Sequence, residues 1–170
     1  IVAGFAIQLV AALACAALAL WLLKDRGHAR PDRKATLVAL AMVATWSLVA
    51  AAFGIDSTPA LLAETLRDLA WLNLLYRLFE VDGRDRSVRN VRPVIGALAF
   101  VEALQPAVLL VQINYAASPL VAAIAAENHA MFGMLVAIGG LVMAHNLYVG
   151  ASPTVREVLR WSALGVAILW

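Results

Sequence analysis

Four ionisable residues lie where the sequence is otherwise apolar. Glu64, Arg67 and Asp68 fall within one apolar run, and Glu102 falls within another. Residues three apart share a face of an α-helix, so Glu64 and Arg67 are expected to be neighbours, with Asp68 adjacent. This buried polar centre could sense a ligand or protons, or switch helix packing. The alternative is a purely structural role, because buried ion pairs can also fix packing without further function.

The depth of these residues predicts a contact. Arg67 lies about eight residues into the run 59–79, which is about 12 Å at 1.5 Å per residue. Glu102 lies about nine residues into the run 93–111 from the opposite side, or about 13 Å. In a hydrocarbon core of about 30 Å the two levels nearly meet. We therefore predict an Arg67–Glu102 contact, direct or through water.

A second candidate site lies further along the chain. Glu127 and His129 are expected at the outer end of a span, where they could bind a ligand or titrate near neutral pH. The alternative for this segment is helix capping at the membrane interface. His28, His129 and His145 are too scattered to converge, so we expect no metal site and no cofactor.

Composition indicates a membrane protein. Hydrophobic residues make up 64% of the 170 residues and charged residues 14%, whereas soluble domains are typically about 45–50% apolar and about 25% charged. The single cysteine excludes a disulfide framework within the chain. The fold class that these values predict is all-α, a polytopic transmembrane helix bundle.

Apolar runs of about 20 residues are long enough to cross a bilayer as helices. They predict one transmembrane domain over 1–170, with a short interfacial helix at about 119–126. Because the chain begins at Ile1 and stops at Trp170, both inside apolar runs, we expect a fragment of a longer protein. The six predicted spans are 1–23, 35–53, 59–79, 93–111, 129–148 and 161–170, the last one truncated.

Basic residues predict the orientation. Nearly all Lys and Arg residues lie in or beside three polar segments, 24–34, 80–92 and 150–160, which fall on one side if the six spans alternate. Basic residues near span ends are retained in the cytoplasm. We therefore expect these three segments to be cytoplasmic, the N-terminus to be outside, and the protein to be multi-pass in the inner (cytoplasmic) membrane.

Two stretches carry a family resemblance. They are TLRDLAWLNLLYRLF (65–79) and GLVMAHNLYVGASPTVREVLRW (140–161). Both resemble the N-terminal membrane region of PrsK-type sensor histidine kinases, which accompany the PEP-CTERM/exosortase system of Gram-negative bacteria. His145, Asn146 and Val149 depart from the family pattern, with His145 at a position where a glutamate is expected. The matching residues are Arg67, Ala70, Trp71, Leu147, Tyr148, Arg160 and Trp161.

The resemblance implies a function for this segment. It would be the membrane-embedded signal-input domain of a two-component sensor kinase, itself non-catalytic, with kinase domains after Trp170. The expected partners are the lipid bilayer and a second copy or a larger membrane complex, and no nucleic acid. One alternative is a small accessory or scaffold subunit of a larger membrane complex. Another is a small transporter or membrane enzyme, which would need a polar path through several spans.

Overall fold

The computed structural model describes residues 2–24, 33–81, 85–115 and 118–150. Over these ranges the chain is helical and contains no strand, which confirms the all-α class. The sixth predicted span, 161–170, lies outside the described residues. The helices are α1 (Val2–Lys24), α2 (Arg33–Phe53), α3 (Thr58–Val81), α4 (Asp85–Asn114) and α5 (Pro119–Gly150).

Four of these helices are long and apolar enough to cross a membrane. They are α1, α2, α4 and α5, in which the qualifying segments have 21 to 31 residues. Their surfaces expose many large apolar side chains, for example Ile7, Leu20 and Leu120 at 66–70%. Contiguous apolar surface on this scale is typical of a face that contacts lipid or another protein. The structure thus supports a membrane protein with four candidate spans.

The third helix differs from the other four. At 24 residues α3 is long enough to span, but its charged residues keep it from qualifying as an apolar span. Its buried face combines apolar residues such as Leu72 and Leu74 with Arg67 and Asp68. A helix with buried charges and few lipid-compatible faces is expected to lie within a bundle rather than against lipid. That α3 forms the third of six spans stays a prediction.

The chain forms two compact units, Ile1–Leu74 and Leu75–Trp170. In the first unit α1 packs along α2. The buried face of α2 is a stripe of small residues spaced three or four apart, which allows two helix backbones to approach closely. Ala12 is buried on α1. The stripe on α2 consists of Ala35, Ala39, Val43, Ser47 and Ala50.

The second unit is built on the packing of α4 against α5. Gly139 makes the closest approach, since a Cβ atom added there would lie 2.5 Å from a methyl carbon of Leu98. The absence of a side chain at Gly139 thus lets the two helices pack closely. The core around it joins the end of α3 to both helices. Its buried members are Phe79, Met143 and Leu147, surrounded by Leu78, Val91, Ile95, Leu98 and Tyr148.

Two predicted boundaries differ from the structure. The segment 85–92 was read as part of a polar loop, but α4 already begins at Asp85 and Pro93 lies inside the helix. The stretch 119–126 was read as a separate interfacial helix, but it forms the first turns of an unbroken α5. The reason is the same in both cases. At both places the sequence has no residue that stops a helix: 85–92 and 120–132 contain neither proline nor glycine, so the backbone hydrogen bonds continue through them.

The turn between α2 and α3 follows the expected chemistry with a shift of one residue. Gly54 ends α2 with a positive φ of 91°, a conformation that glycine adopts at little cost. The sequence Thr58-Pro59 is typical of a capping residue followed by proline in the first turn, but Thr58 is already the first helical residue. Instead the Leu61 N–H donates to the carbonyl of Ser57 at 3.0 Å, which makes Ser57 the capping residue.

Candidate functional site

The strongest candidate site is the buried ion cluster on α3. Helical spacing places Glu64 one turn before Arg67, and both Arg67 and Asp68 are about 95% buried. The Arg67 Nε donates to Asp68 Oδ1 at 2.8 Å, and Nη2 donates to Asp68 Oδ2 at 3.2 Å. Nη2 also donates to Glu64 Oε1 at 3.2 Å. The guanidinium therefore forms a fork on Asp68 and a single bond to Glu64, a geometry that gives arginine strong, directional pairing.

A tryptophan on α2 completes the cluster. The Arg67 Cζ atom lies 4.3 Å from the centroid of the Trp46 ring. A cation over an aromatic face at this distance is stabilised by the ring quadrupole. Sequence reasoning missed Trp46, because nothing in the linear pattern says which face of α2 turns toward α3. This contact links α2 to α3 through the charged group.

The charge balance of the cluster is negative. Two carboxylates, Glu64 and Asp68, surround one guanidinium, and the Glu64 side chain keeps 26% of its surface exposed. Asp68 is the more deeply buried carboxylate, with 7% of its side chain exposed. Arg67 is thus compensated within α3 itself. The predicted Arg67–Glu102 contact stays a prediction.

Glu102, on α4, is fully buried. Gln105 Nε2 donates to Glu102 Oε2 at 2.8 Å, from one turn further along the helix. Gln105 is itself 6% exposed. Sequence reasoning had named Glu102 but not Gln105. Gln105 could have been predicted as the partner of Glu102, because an amide three residues from a carboxylate lies on the same face of a helix.

The second candidate site, Glu127 and His129, stays a prediction. Glu127 and His129 lie well inside α5 rather than at a helix end, with Glu127 exposed and His129 half-buried. Residues two apart point to different sides of a helix, so these side chains do not face each other. Both residues lie away from the ends of α5, which runs from Pro119 to Gly150. Ser118 caps α5 instead, through its carbonyl oxygen, which accepts from Ala122 N–H at 3.1 Å.

An exposed ion pair on α3 contrasts with the buried cluster. Arg77 Nη1 donates to Glu80 Oε2 at 2.8 Å, and the two side chains are 55% and 35% exposed. A hydrogen bond from the Tyr76 hydroxyl, helped by Arg77, lowers the pKa of Glu80. The pair has the same three-residue spacing as Glu64 and Arg67, but it lies in water-accessible surroundings. It is therefore a natural control for substitutions in the cluster.

An open groove in the first unit lies between the start of α1 and the end of α2. It has a volume of about 680 Å³ and is lined mostly by apolar groups, including Phe5 and Ile55. Its polar members are Gln8, which is half-buried, and Asp56, which is exposed. None of the residues of the buried ion cluster lines it.

The chemistry of the cluster is that of charge pairing. Arg67 donates three hydrogen bonds to two carboxylates, and Trp46 covers its face. Among the residues whose positions are described, no three His, Cys, Asp or Glu side chains group as metal ligands would. No protein-family model, curated protein or solved structure matches this chain.

Proposed function

We propose that this chain is the membrane-embedded signal-input domain of a two-component sensor histidine kinase, with phosphotransfer carried out by domains outside it. In this proposal the protein sits in the inner membrane with six spans and an external N-terminus. The segments 24–34, 80–92 and 150–160 face the cytoplasm. In this proposal the domain works as a homodimer or within a larger membrane complex.

The observation that carries this proposal is the buried cluster of Glu64, Arg67 and Asp68 with Trp46 on the neighbouring helix. An ion cluster inside an apolar bundle is stable only while its geometry is kept, because a buried charge that loses its partner costs several kcal/mol. Small movements of α3 against α2 therefore change the free energy sharply. This property suits an element that converts a stimulus in the membrane into a change of helix packing.

The family resemblance supports the same site. The stretch that resembles the kinase family in α3 is carried by Arg67, Ala70 and Trp71. All three side chains are buried, at 4%, 8% and 8% exposure. Residues at positions 67, 70 and 71 lie within about one helical turn and share a face. Within α3, the residues that carry the resemblance therefore lie on the buried face of the helix.

The first experiment is to read the gene beyond the codon for Trp170 and to measure the intact mass of the natural protein. A mass far above 18.1 kDa, together with a phosphoacceptor histidine and an ATP-binding domain, is expected. A natural protein of about the mass of this segment would refute the kinase proposal. It would leave the accessory or scaffold subunit as the function to test, by identifying the complex with which the protein copurifies.

The second experiment asks whether the cluster takes part in signalling. The natural full-length protein, reconstituted in liposomes, is incubated with labelled ATP, and the acid-labile phosphohistidine is measured. Arg67→Ala and Arg67→Lys are expected to change the basal rate of autophosphorylation, whereas Arg77→Ala, which breaks the exposed pair with Glu80, is expected to leave it unchanged. Equal effects of the Arg67 and Arg77 substitutions would show that the cluster has no special part in signalling.

A further inference from the structure

The end of α1 and the start of α2 form a corner that carries three cations. Arg33, the first residue of α2, donates from Nη2 to the carbonyl oxygens of Leu22 at 2.8 Å and Leu23 at 2.9 Å. These two hydrogen bonds fix the start of α2 against the last turn of α1. Lys24 ends α1 and Lys34 follows Arg33 in α2, so all three side chains start from the same corner. We call Lys24, Arg33 and Lys34 the cationic corner.

The positive charge of the cationic corner is not balanced by the part of the chain that the structure describes. Both lysines are exposed. The ion pairs between described residues involve Arg67 and Arg77, and none of them includes Lys24 or Lys34. In the sequence, 24–34 holds five basic residues and two acidic ones. The acidic residues of this segment are therefore too few to neutralise it.

Helix dipoles explain only part of this charge. Lys24 and the Arg33 guanidinium lie at the C-terminus of α1, where the carbonyl groups favour a cation. Lys34, in contrast, lies in the first turn of α2, which contains no acidic residue. A helix N-terminus carries a partial positive charge and favours an anion. Lys34 is therefore placed where a cation is stabilised only when an anion lies beside it.

The surface directly next to the cationic corner is apolar and exposed. On the last turn of α1, Leu20, Trp21 and Leu23 expose 66%, 64% and 53% of their surface. Tryptophan is enriched where a spanning helix leaves the hydrocarbon and meets the lipid headgroups. A molecule that fits both surfaces has an apolar chain and a negative charge at its end. A soluble anion would contact only the cations, and a zwitterionic lipid would bring a positive charge of its own.

We propose that the cationic corner and the apolar turn beside it are a docking surface for an anionic phospholipid. The phosphate pairs with Lys24 and Lys34, Arg33 holds the two helices in position, and the acyl chains lie along Leu20, Trp21 and Leu23. Basic residues beside a spanning helix attract anionic lipid in this way. The inference goes beyond the proposed signalling function and does not rest on it, since it requires only that α1 and α2 lie in a membrane.

The test is quenching of tryptophan fluorescence by brominated lipids, with the full chain reconstituted in bilayers of phosphatidylcholine and a fixed fraction of phosphatidylglycerol. The bromine atoms are placed on the acyl chains of one lipid or of the other. We expect phosphatidylglycerol to be preferred by about fivefold or more, since each Lys or Arg near an anionic surface contributes about a fivefold preference. The preference should weaken as salt is added. Trp21→Phe should remove the difference between the two lipids, which assigns it to this turn of α1.

Matched variants show whether the cationic corner provides the preference. Lys24→Gln and Lys34→Gln each remove one exposed charge and are expected to lower the preference about threefold to fivefold, with the helical circular dichroism unchanged. Arg77→Gln also removes one exposed basic residue, on α3, and should leave the preference unchanged. Arg33 is kept in every variant because its side chain holds the end of α1.

Four results would overturn the proposal. The first is a wild-type protein that does not prefer phosphatidylglycerol. The second is a preference that survives in both lysine variants or in Trp21→Phe. The third is an equal loss in Arg77→Gln, which would indicate a response to net charge and not to a docking surface. The fourth is loss of the preference on addition of millimolar inorganic phosphate at constant ionic strength, which would indicate a site for a soluble anion.

Discussion

Removing the buried guanidinium is the most direct perturbation of the candidate site. Arg67→Ala deletes all three hydrogen bonds that hold Asp68 and Glu64, and it also removes the cation from the face of Trp46. Nothing else in α3 brings a positive charge to this level. Both carboxylates would then face each other across the space that the guanidinium had filled.

The expected magnitude follows from burial. Removing one partner of a buried ion pair typically costs about 3–5 kcal/mol, because the other charge stays buried and uncompensated. Asp68 meets this condition, with 7% of its side chain exposed, whereas Glu64 at 26% can turn partly toward water. Most of the loss therefore comes from Asp68. Loss of the contact with Trp46 adds about 0.5–2 kcal/mol, so we expect a total near the upper part of the range for a single buried pair.

The assay is reversible unfolding of the purified protein in mixed micelles by a denaturing detergent, followed by circular dichroism. Arg77→Ala is the matched control on the same helix, because its pair with Glu80 is 55% and 35% exposed and exposed pairs are worth about 0–1 kcal/mol. Asp68→Asn in the Arg67→Ala background should recover part of the stability, since it removes the uncompensated charge. The double variant should therefore cost less than the sum of the single ones.

Two results would refute this reasoning. One is an Arg67→Ala variant that loses no more stability than Arg77→Ala, which would mean that water reaches the cluster and screens its charges. The other is strict additivity of Arg67→Ala and Asp68→Asn, which would mean that the two groups do not interact in the folded protein.

Three further predictions concern the helix contacts. Trp46→Leu should cost about 1–2 kcal/mol more with Arg67 present than in an Arg67→Met background, because only the former has a cation over the ring; equal costs in the two backgrounds would rule out the contact. Gly139→Leu should lower the free energy of unfolding by about 1–3 kcal/mol, since a Cβ atom at this position would lie 2.5 Å from a methyl carbon of Leu98. Adding Leu98→Ala to the same chain should restore part of the lost stability. Arg33→Ala should lower the free energy of unfolding by about 0.5–1.5 kcal/mol, because Arg33 Nη2 donates to two of the last carbonyls of α1 at 2.8 and 2.9 Å. Amide hydrogen exchange should then become faster at the end of α1, and an unchanged exchange rate there would contradict the prediction.

Much of the candidate site could be predicted from the sequence because it is local. Glu64, Arg67 and Asp68 are brought together by the helix alone, since residues three apart lie on one face. An apolar run also indicates that charges within it need partners. Glu127 and His129 show the limit of this reasoning, because the sequence did not indicate that the helix continues on both sides of them. In the structure they lie inside a helix, where residues two apart point to different sides.

The sequence by itself determined the class of this protein: an apolar, all-helical chain whose length and hydropathy suit a membrane, and whose few charges inside apolar runs mark the buried polar residues. Tertiary structure decided how far α4 and α5 extend, that Trp46 lies over Arg67, and that Gly139 meets Leu98. The physical reason is range. Helix formation, burial of apolar residues and pairing one turn apart depend on near neighbours, whereas the face that one helix turns toward another depends on how all the side chains between them pack.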